Sequence, residues 1–388
     1  MKAGRTWSTG CALRYRRRNM SIALEDIVSR ITDYYGFDGE LISCSPFGNG
    51  HINDTFLLVY TLGNGENRYV LQKINKYVFH HPDELMENGV AVTAHLRKKV
   101  VEAGGDPERE VLRFVPAKNG LYYYLDDDEE YWRISCFIDN TISRDTASSP
   151  EDLYTTGLAF GHFQSLLSDY PANTLYETIP GFHDTRSRFE RFKTVVARDV
   201  ACRAESCKEE IAFILDRESI ARYSMDSYDR GEIPLRVTHN DTKLNNLLID
   251  KNTEKALCVI DLDTVMPGFS MNDFGDAIRS GACTAAEDEL DLIKVHCDLA
   301  FYEAFTKGFI EGCAGKLTPH EIEILPMGAL GITYEQAIRF LTDYLEGDVY
   351  YKTSYDLHNL VRTRTQIKMV LEMEEKWDEI CSMIRRYC

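Results

Sequence analysis

The 388-residue sequence has no apolar run near the roughly 20 residues that cross a bilayer, so a membrane-spanning class is excluded. Its 11 cysteines include no Cys-x-x-Cys pair, and their scatter and odd number argue against a zinc knuckle or a disulfide framework. Reduced cytosolic thiols are the expected state, which places the protein in the cytoplasm. No Gly-x-x-x-x-Gly-Lys-Ser/Thr loop occurs, so a Walker-type phosphate cradle is absent. Positive charge is also scarce: 44 Lys and Arg face 62 Asp and Glu, a formal charge of −18 that repels phosphate backbones and anionic lipid surfaces. Nucleic-acid and membrane partners drop out, while a small, locally captured anion stays allowed. Neither an internal repeat nor a low-complexity segment is present.

The length and a 44% hydrophobic content are those of a soluble protein of two to three folded units. Residues 1–20 hold Lys2, Arg5, Arg14, Arg16, Arg17 and Arg18 without an acid, and lack the apolar stretch of a secretion signal. They read as a disordered leader or a mis-assigned start, with Met20 as the alternative. From Leu24 to Tyr35 the apolar spacing predicts a helix; Leu41–Pro46, Thr55–Thr61 and Tyr69–Ile74 then read as strands. Pro82 with Asp83 and Glu84 predicts the start of a helix running to Val100, and Val111–Val115, Leu121–Leu125 and Tyr131–Ile138 read as further strands. Beyond Ile138 the pattern is helical, including single helices over Arg186–Val200 and Glu209–Tyr223. A strand island at Leu235–Thr238, Leu247–Asp250 and Ala256–Ile260 interrupts it. The expected fold class is α+β and bilobal: a small β-rich N-terminal lobe over 21–138 and a larger, mostly helical C-terminal lobe over 139–388. A cleft between two lobes is a natural ligand site.

Inside the island, His239-Asn240-Asp241-Thr242-Lys243-Leu244-Asn245-Asn246 fits His-x-Asp-x-x-x-x-Asn. In a kinase catalytic loop this spacing sets a carboxylate beside the acceptor hydroxyl and a metal ligand a few residues on. His81 to Asn88 matches the same pattern, but it opens a predicted helix and no acidic strand end follows it. Val259-Ile260-Asp261-Leu262-Asp263 answers the first copy twenty residues after Asp241. Magnesium takes oxygen ligands and few protein carboxylates, which Asn246 and Asp261 can supply, with Asp263 in a supporting or second-metal role. A solvent-facing strand end is the competing reading of Asp261. Asp273-Phe274-Gly275 lies 32 residues from Asp241 and is assigned a packing or helix-start role. Gly48 and Gly50, in the loop Gly48–Asn53, with Lys73 on the third strand, suit nucleotide phosphates. Glu87, and less so Glu84, is the candidate to pair with Lys73, and backbone groups near Phe137 are candidates for adenine. A solvated strand lysine is the alternative for Lys73.

Gly48 to Thr55, Val70 to Asn75, Thr238 to Asn246, Val259 to Gly268 and Asn272 to Arg279 together resemble the N-acetylhexosamine 1-kinases, within the aminoglycoside phosphotransferase and choline kinase-like group. The resemblance implies that group's bilobal, protein-kinase-like fold, ATP and Mg2+ as cofactors, and phosphorylation of the anomeric hydroxyl of N-acetylglucosamine or N-acetylgalactosamine. It implies Asp241 as catalytic base, Asn246 and Asp261 as magnesium ligands, and His51, Arg339 and Tyr350 in the sugar site. Surface exposure of Arg339 and core packing of Tyr350 are the competing readings. A small-alcohol kinase acting on a hexose, an aminoglycoside or choline, and a pseudokinase that senses a ligand, are the alternatives. No Ala-Pro-Glu follows the metal aspartate, which disfavours a protein kinase. The preferred epimer, the nucleotide and the oligomeric state stay open.

Overall fold

A computed structural model describes residues 24, 26–37, 39–48, 52–63 and 65–387. The basic leader, Gly50 and His51 therefore lie outside the described residues. The chain divides into two compact units, one comprising residues up to Val90 with Leu112–Asp139, the other Ala91–Val111 with everything from Asn140 onward.

In the first unit, β1 (Leu41–Pro46), β2 (Asp54–Leu62), β3 (Gly65–Ile74), β4 (Tyr124–Leu125) and β5 (Tyr131–Cys136) form one antiparallel sheet ordered β1-β2-β3-β5-β4. Period-2 alternation turns Leu58, Tyr60, Leu71, Trp132 and Ile134 to one face, where Val28, Ile31 and Tyr35 of the helix over 26–35 cover them. Val111–Val115, expected as a strand, is reduced to a single bridge from Phe114 to Ser135. The reason is shared occupancy: β4 already takes the outer edge of β5 at Tyr131 and Trp132, and Pro116 has no N–H with which to extend the ladder.

The second unit is mostly helical. Its short strands are β6 (Thr141–Ile142), β7 (Arg236–Thr238), β8 (Leu247–Asp250), β9 (Ala256–Val259) and β10 (Met266–Gly268), arranged as a β6-β8-β9 sheet and a β7-β10 pair. The segment Ala91–Val111 is tied to this unit by His95 to Asp169 at 3.0 Å and Arg109 to Asp250 at 2.7 Å. The expected helix over Glu209–Tyr223 is two, Lys208–Leu215 and Glu218–Asp229. Between them Arg217 leaves helical geometry while its guanidinium grips Glu374 at 2.8 and 2.9 Å, a distant partner that local periodicity does not register. At the centre, Leu325–Glu346 is buried nearly all round and packs on Ser270–Gly281, Thr185–Arg198 and His358–Glu375. Gly275 and Gly328 let the first two of these helices touch. A Cβ on Gly275 would lie 2.2 Å from the Gly328 carbonyl oxygen, so any side chain there forces the helices apart. Among the described residues no helix is long and apolar enough to cross a membrane.

Candidate active site

The loop between β7 and β8 carries the His239–Asn246 motif, and its shape is imposed from outside. Asp273, in the first turn of Ser270–Gly281, is fully buried and accepts the backbone N–H of His239 (2.9 Å), that of Asn240 (2.7 Å) and the Gln164 amide (2.8 Å). Thr242 Oγ1 donates to the Asp273 carbonyl at 2.6 Å, and the Thr242 N–H donates to Asp276 at 3.0 Å. These bonds hold Asn240 in the left-handed region at φ 62°, immediately before Asp241. Burial pushes the Asp273 carboxyl above its ordinary value, against the opposing pull of His239 and of the donated N–H groups. Asp273 therefore packs at a helix start, as expected, yet its carboxylate serves the β7–β8 loop rather than its own helix. The detectable signal is three charges, Asp273, Asp276 and Arg279, set among the apolar Met271, Phe274, Ala277 and Ile278.

Asp241 receives the Asn246 side-chain amide at 2.9 Å on Oδ2, and Lys243 Nζ lies 2.6 Å from its Oδ1. Burial raises the carboxyl, but the Lys243 ammonium, with His239 and Asn246, outweighs it and holds Asp241 below the usual carboxylate range. Asp241 is thus ionised at neutral pH. Sequence reasoning passed over Lys243, although it stands only two residues from Asp241. Asn246 also reaches the second strand element: its carbonyl accepts the Ile260 N–H at 2.9 Å, and His239 Nε2 contacts the Ile260 carbonyl at 2.9 Å. Asp261, the next residue, is therefore brought beside Asn246 by backbone pairing. It is exposed and left-handed at φ 60°, a conformation that takes the chain out of β9 and leaves the side chain accessible. Asp263, by contrast, is buried in the following 3-10 turn.

The donor set suits magnesium. Asn246 commits its NH2 to Asp241, which leaves an amide oxygen for ligation, and Asp261 adds an accessible carboxylate. Among the described residues no group of three or more His, Cys, Asp and Glu is placed to hold a metal. A two-oxygen set is compatible with an ion that takes its other ligands from phosphate and water.

From Lys243 the polar network continues through Asp276 to Arg279, which donates to Asp276 at 3.0 and 3.1 Å and to Glu287 at 2.9 Å. Asp276 and Glu287 outweigh burial and lift the Arg279 guanidinium above its ordinary value. Arg339 stands within electrostatic range of Arg279. Its guanidinium lies 5.1 Å from the Phe182 ring and 5.8 Å from that of Tyr351, and donates to Gln336 at 3.2 Å. Tyr350 packs edge-on to Tyr351 at 4.8 Å with 59% of its surface exposed, and its backbone N–H donates to Asp343.

In the first unit, Lys73 Nζ pairs with Asp54 at 3.3 Å because the β2–β3 register sets the two directly opposite each other. The expected Lys73–Glu87 pair is absent among the described ion pairs, and Glu87 is exposed on its helix. Gly48 is left-handed at φ 75°, as its turn requires. The Phe137 N–H is already spent on the Arg68 carbonyl at 3.2 Å, and its ring lies 5.7 Å from Phe47 and 5.4 Å from the Arg68 guanidinium, so this N–H is not a free donor for adenine.

Residues 43–309 match the model of the phosphotransferase enzyme family, APH. Among solved structures, choline kinase from Cryptosporidium parvum is 12% identical with a TM-score of 0.56, covering 94% of this chain and 99% of its own. An aminoglycoside phosphotransferase from Alicyclobacillus acidocaldarius is 13% identical with a TM-score of 0.52 (90% and 94% covered). Spectinomycin phosphotransferase, solved with ADP and spectinomycin, is 11% identical with a TM-score of 0.50 (94% and 98% covered). These likenesses show the fold expected from the sequence, a β-sheet N-terminal region with a mostly helical remainder, and the family match extends over more than half of the chain: it belongs to the phosphotransferase enzyme family.

Proposed function

We propose that the protein is an ATP- and magnesium-dependent kinase of small alcohols that phosphorylates the anomeric hydroxyl of N-acetylhexosamines in a reducing, cytoplasmic setting. The observation that carries the reading is Asp241, held ionised by Lys243 and hydrogen-bonded to Asn246, with Asp261 drawn alongside by the pairing of Ile260 with Asn246. Names among the structural neighbours, choline kinase and spectinomycin phosphotransferase, support small alcohols as acceptors. Asp241 orients the acceptor hydroxyl and takes its proton as the bond to phosphorus forms. Asn246 and Asp261 are the residues that hold magnesium, which when bound neutralises charge on the transferred phosphoryl group. Lys73 and the Gly48 turn are assigned to the nucleotide phosphates, and Arg339, Tyr350 and His51 to the sugar.

Two observations bear on rivals. An ammonium acceptor would meet the Arg339 guanidinium, which has no ion-pair partner within 4.0 Å among the described residues, so choline-type substrates are disfavoured. A silent ligand sensor would have no use for a base kept ionised. The test supplies ATP with a panel of sugars, an aminoglycoside and choline, and assigns the product by phosphorus NMR. Phosphate on the anomeric oxygen of an N-acetylhexosamine is expected. Asp241→Asn should lose orders of magnitude in turnover with nucleotide affinity nearly intact. Transfer to another position, or no acceptor-dependent ADP release, overturns the reading.

A further inference from the structure

Glu335 is a buried carboxylate on the central helix, 1% exposed, with both oxygens already engaged. His183 Nδ1 lies 3.0 Å and Arg188 Nε 3.7 Å from Oε1, while Thr185 Oγ1 donates to Oε2 at 2.6 Å. Burial alone would raise the Glu335 carboxyl, but its hydrogen bond with His183 and the charges of the Arg188 and Arg339 guanidinium groups prevail and bring it down to about 2. Arg339, one helical turn further on, belongs to the same electrostatic cluster but makes no ion pair among the described residues.

One guanidinium, Arg188, thus pairs with Glu335, and Arg339 adds a second positive charge within electrostatic range of the same carboxylate. Burial, and next the charge of Arg339, hold Arg188 below its ordinary value, so the excess positive charge is felt within the cluster. A hub built only to tie Thr185–Arg198 to Leu325–Glu346 needs one cation for one acid. A second that is left between aromatic rings, and only partly exposed, is costly unless a negative or strongly dipolar oxygen meets it. Arg188 spends Nε and Nη2 on the Phe182 carbonyl at 3.0 and 2.6 Å, which fixes the plane of its guanidinium. Planar N–H donors matched to an sp2 oxygen are what arginine offers and lysine does not.

We infer that Arg188 is a second acceptor-binding residue beside Arg339, the two selecting acceptors that carry an sp2 oxygen, an acyl carbonyl or a carboxylate, and rejecting ammonium groups. His183 and Thr185 are positioning residues that act through Glu335. The inference rests on the small-alcohol kinase reading and adds the group that is read.

The test measures kcat and KM on the full chain for an N-acetylhexosamine, the plain hexose, the corresponding 2-amino sugar and a hexuronic acid, with ATP held saturating. Arg188→Lys keeps a cation for Glu335 and Arg188→Met keeps the aliphatic stem; thermal unfolding of each reports folding. In folded variants KM for the acyl or carboxyl sugar should rise at least tenfold, with the KM for ATP unchanged, so that its kcat/KM advantage over the plain hexose shrinks. The acetyl and carboxyl arms distinguish which oxygen is read. An unaltered preference in folded Arg188→Lys and Arg188→Met, with the wild type active on N-acetylhexosamine, overturns this inference alone. A wild type that phosphorylates only plain or amino sugars overturns it together with the N-acetylhexosamine reading.

Discussion

Replacing Asp273 by asparagine separates a helix-start role from a clamp on the His239–Asn246 loop. The carboxylate accepts three donors, the N–H groups of His239 and Asn240 and the Gln164 amide, at 2.7–2.9 Å. The amide retains one oxygen. Its best placement keeps His239 and Gln164 and turns NH2 toward the Asn240 N–H, losing one charge-assisted bond and leaving a buried donor without an acceptor. Bonds to charged groups contribute about 1.5–3 kcal/mol and an orphaned donor costs about 1–3 kcal/mol. Relief of burying a charge offsets part of this, since burial already pushes the Asp273 carboxyl up. The net expectation is about 2 kcal/mol of destabilisation, read from urea denaturation at constant m. Asn240 directly precedes Asp241 and is held left-handed, so its release lets Asp241, the proposed base, shift from its place. Acceptor-dependent ADP release should then fall by about 100-fold, the scale of a misplacement near 1 Å. A variant within 0.5 kcal/mol and twofold in turnover of wild type would refute the clamp.

Lys243→Met removes the ammonium 2.6 Å from Asp241. Asp241 is depressed in the folded protein, so if it is the base, as proposed, activity is lost as pH falls through its pKa; without Lys243 that pKa rises, and the acid limb of kcat/KM should move to higher pH. An unmoved limb would show that Lys243 does not set the charge of the base. Gly275→Ala forces a Cβ against the Gly328 carbonyl oxygen at 2.2 Å and should cost about 2 kcal/mol by overpacking, despite alanine's better helix propensity. Because the two helices carry Asp273, Asp276 and Arg279 on one side and Glu335 and Arg339 on the other, KM for the acceptor should rise as well. Unchanged thermal stability would contradict the close approach.

The loop motif, the answering Asp261 and most strands of the first unit could be read from the sequence because each depends on neighbours a few residues away. Alternation turns one face inward, a glycine turn joins two strands, and a fixed spacing along one loop joins Asp241 to Asn246. The pairing of Lys73 with Asp54 rather than Glu87 followed from sheet register, which matches residues across strands and which hydrophobic pattern alone specifies only by face. The second HxD-type match, at His81, sits before the helix Pro82–Glu102, where local sequence had placed it. What tertiary structure alone decided is which charges meet. Asp273 reaches a loop 32 residues earlier in the chain, and Arg188, 151 residues before Arg339, pairs with Glu335 within electrostatic range of Arg339 because the helices bearing them pack together. Such encounters follow from helix packing, and no local spacing encodes them.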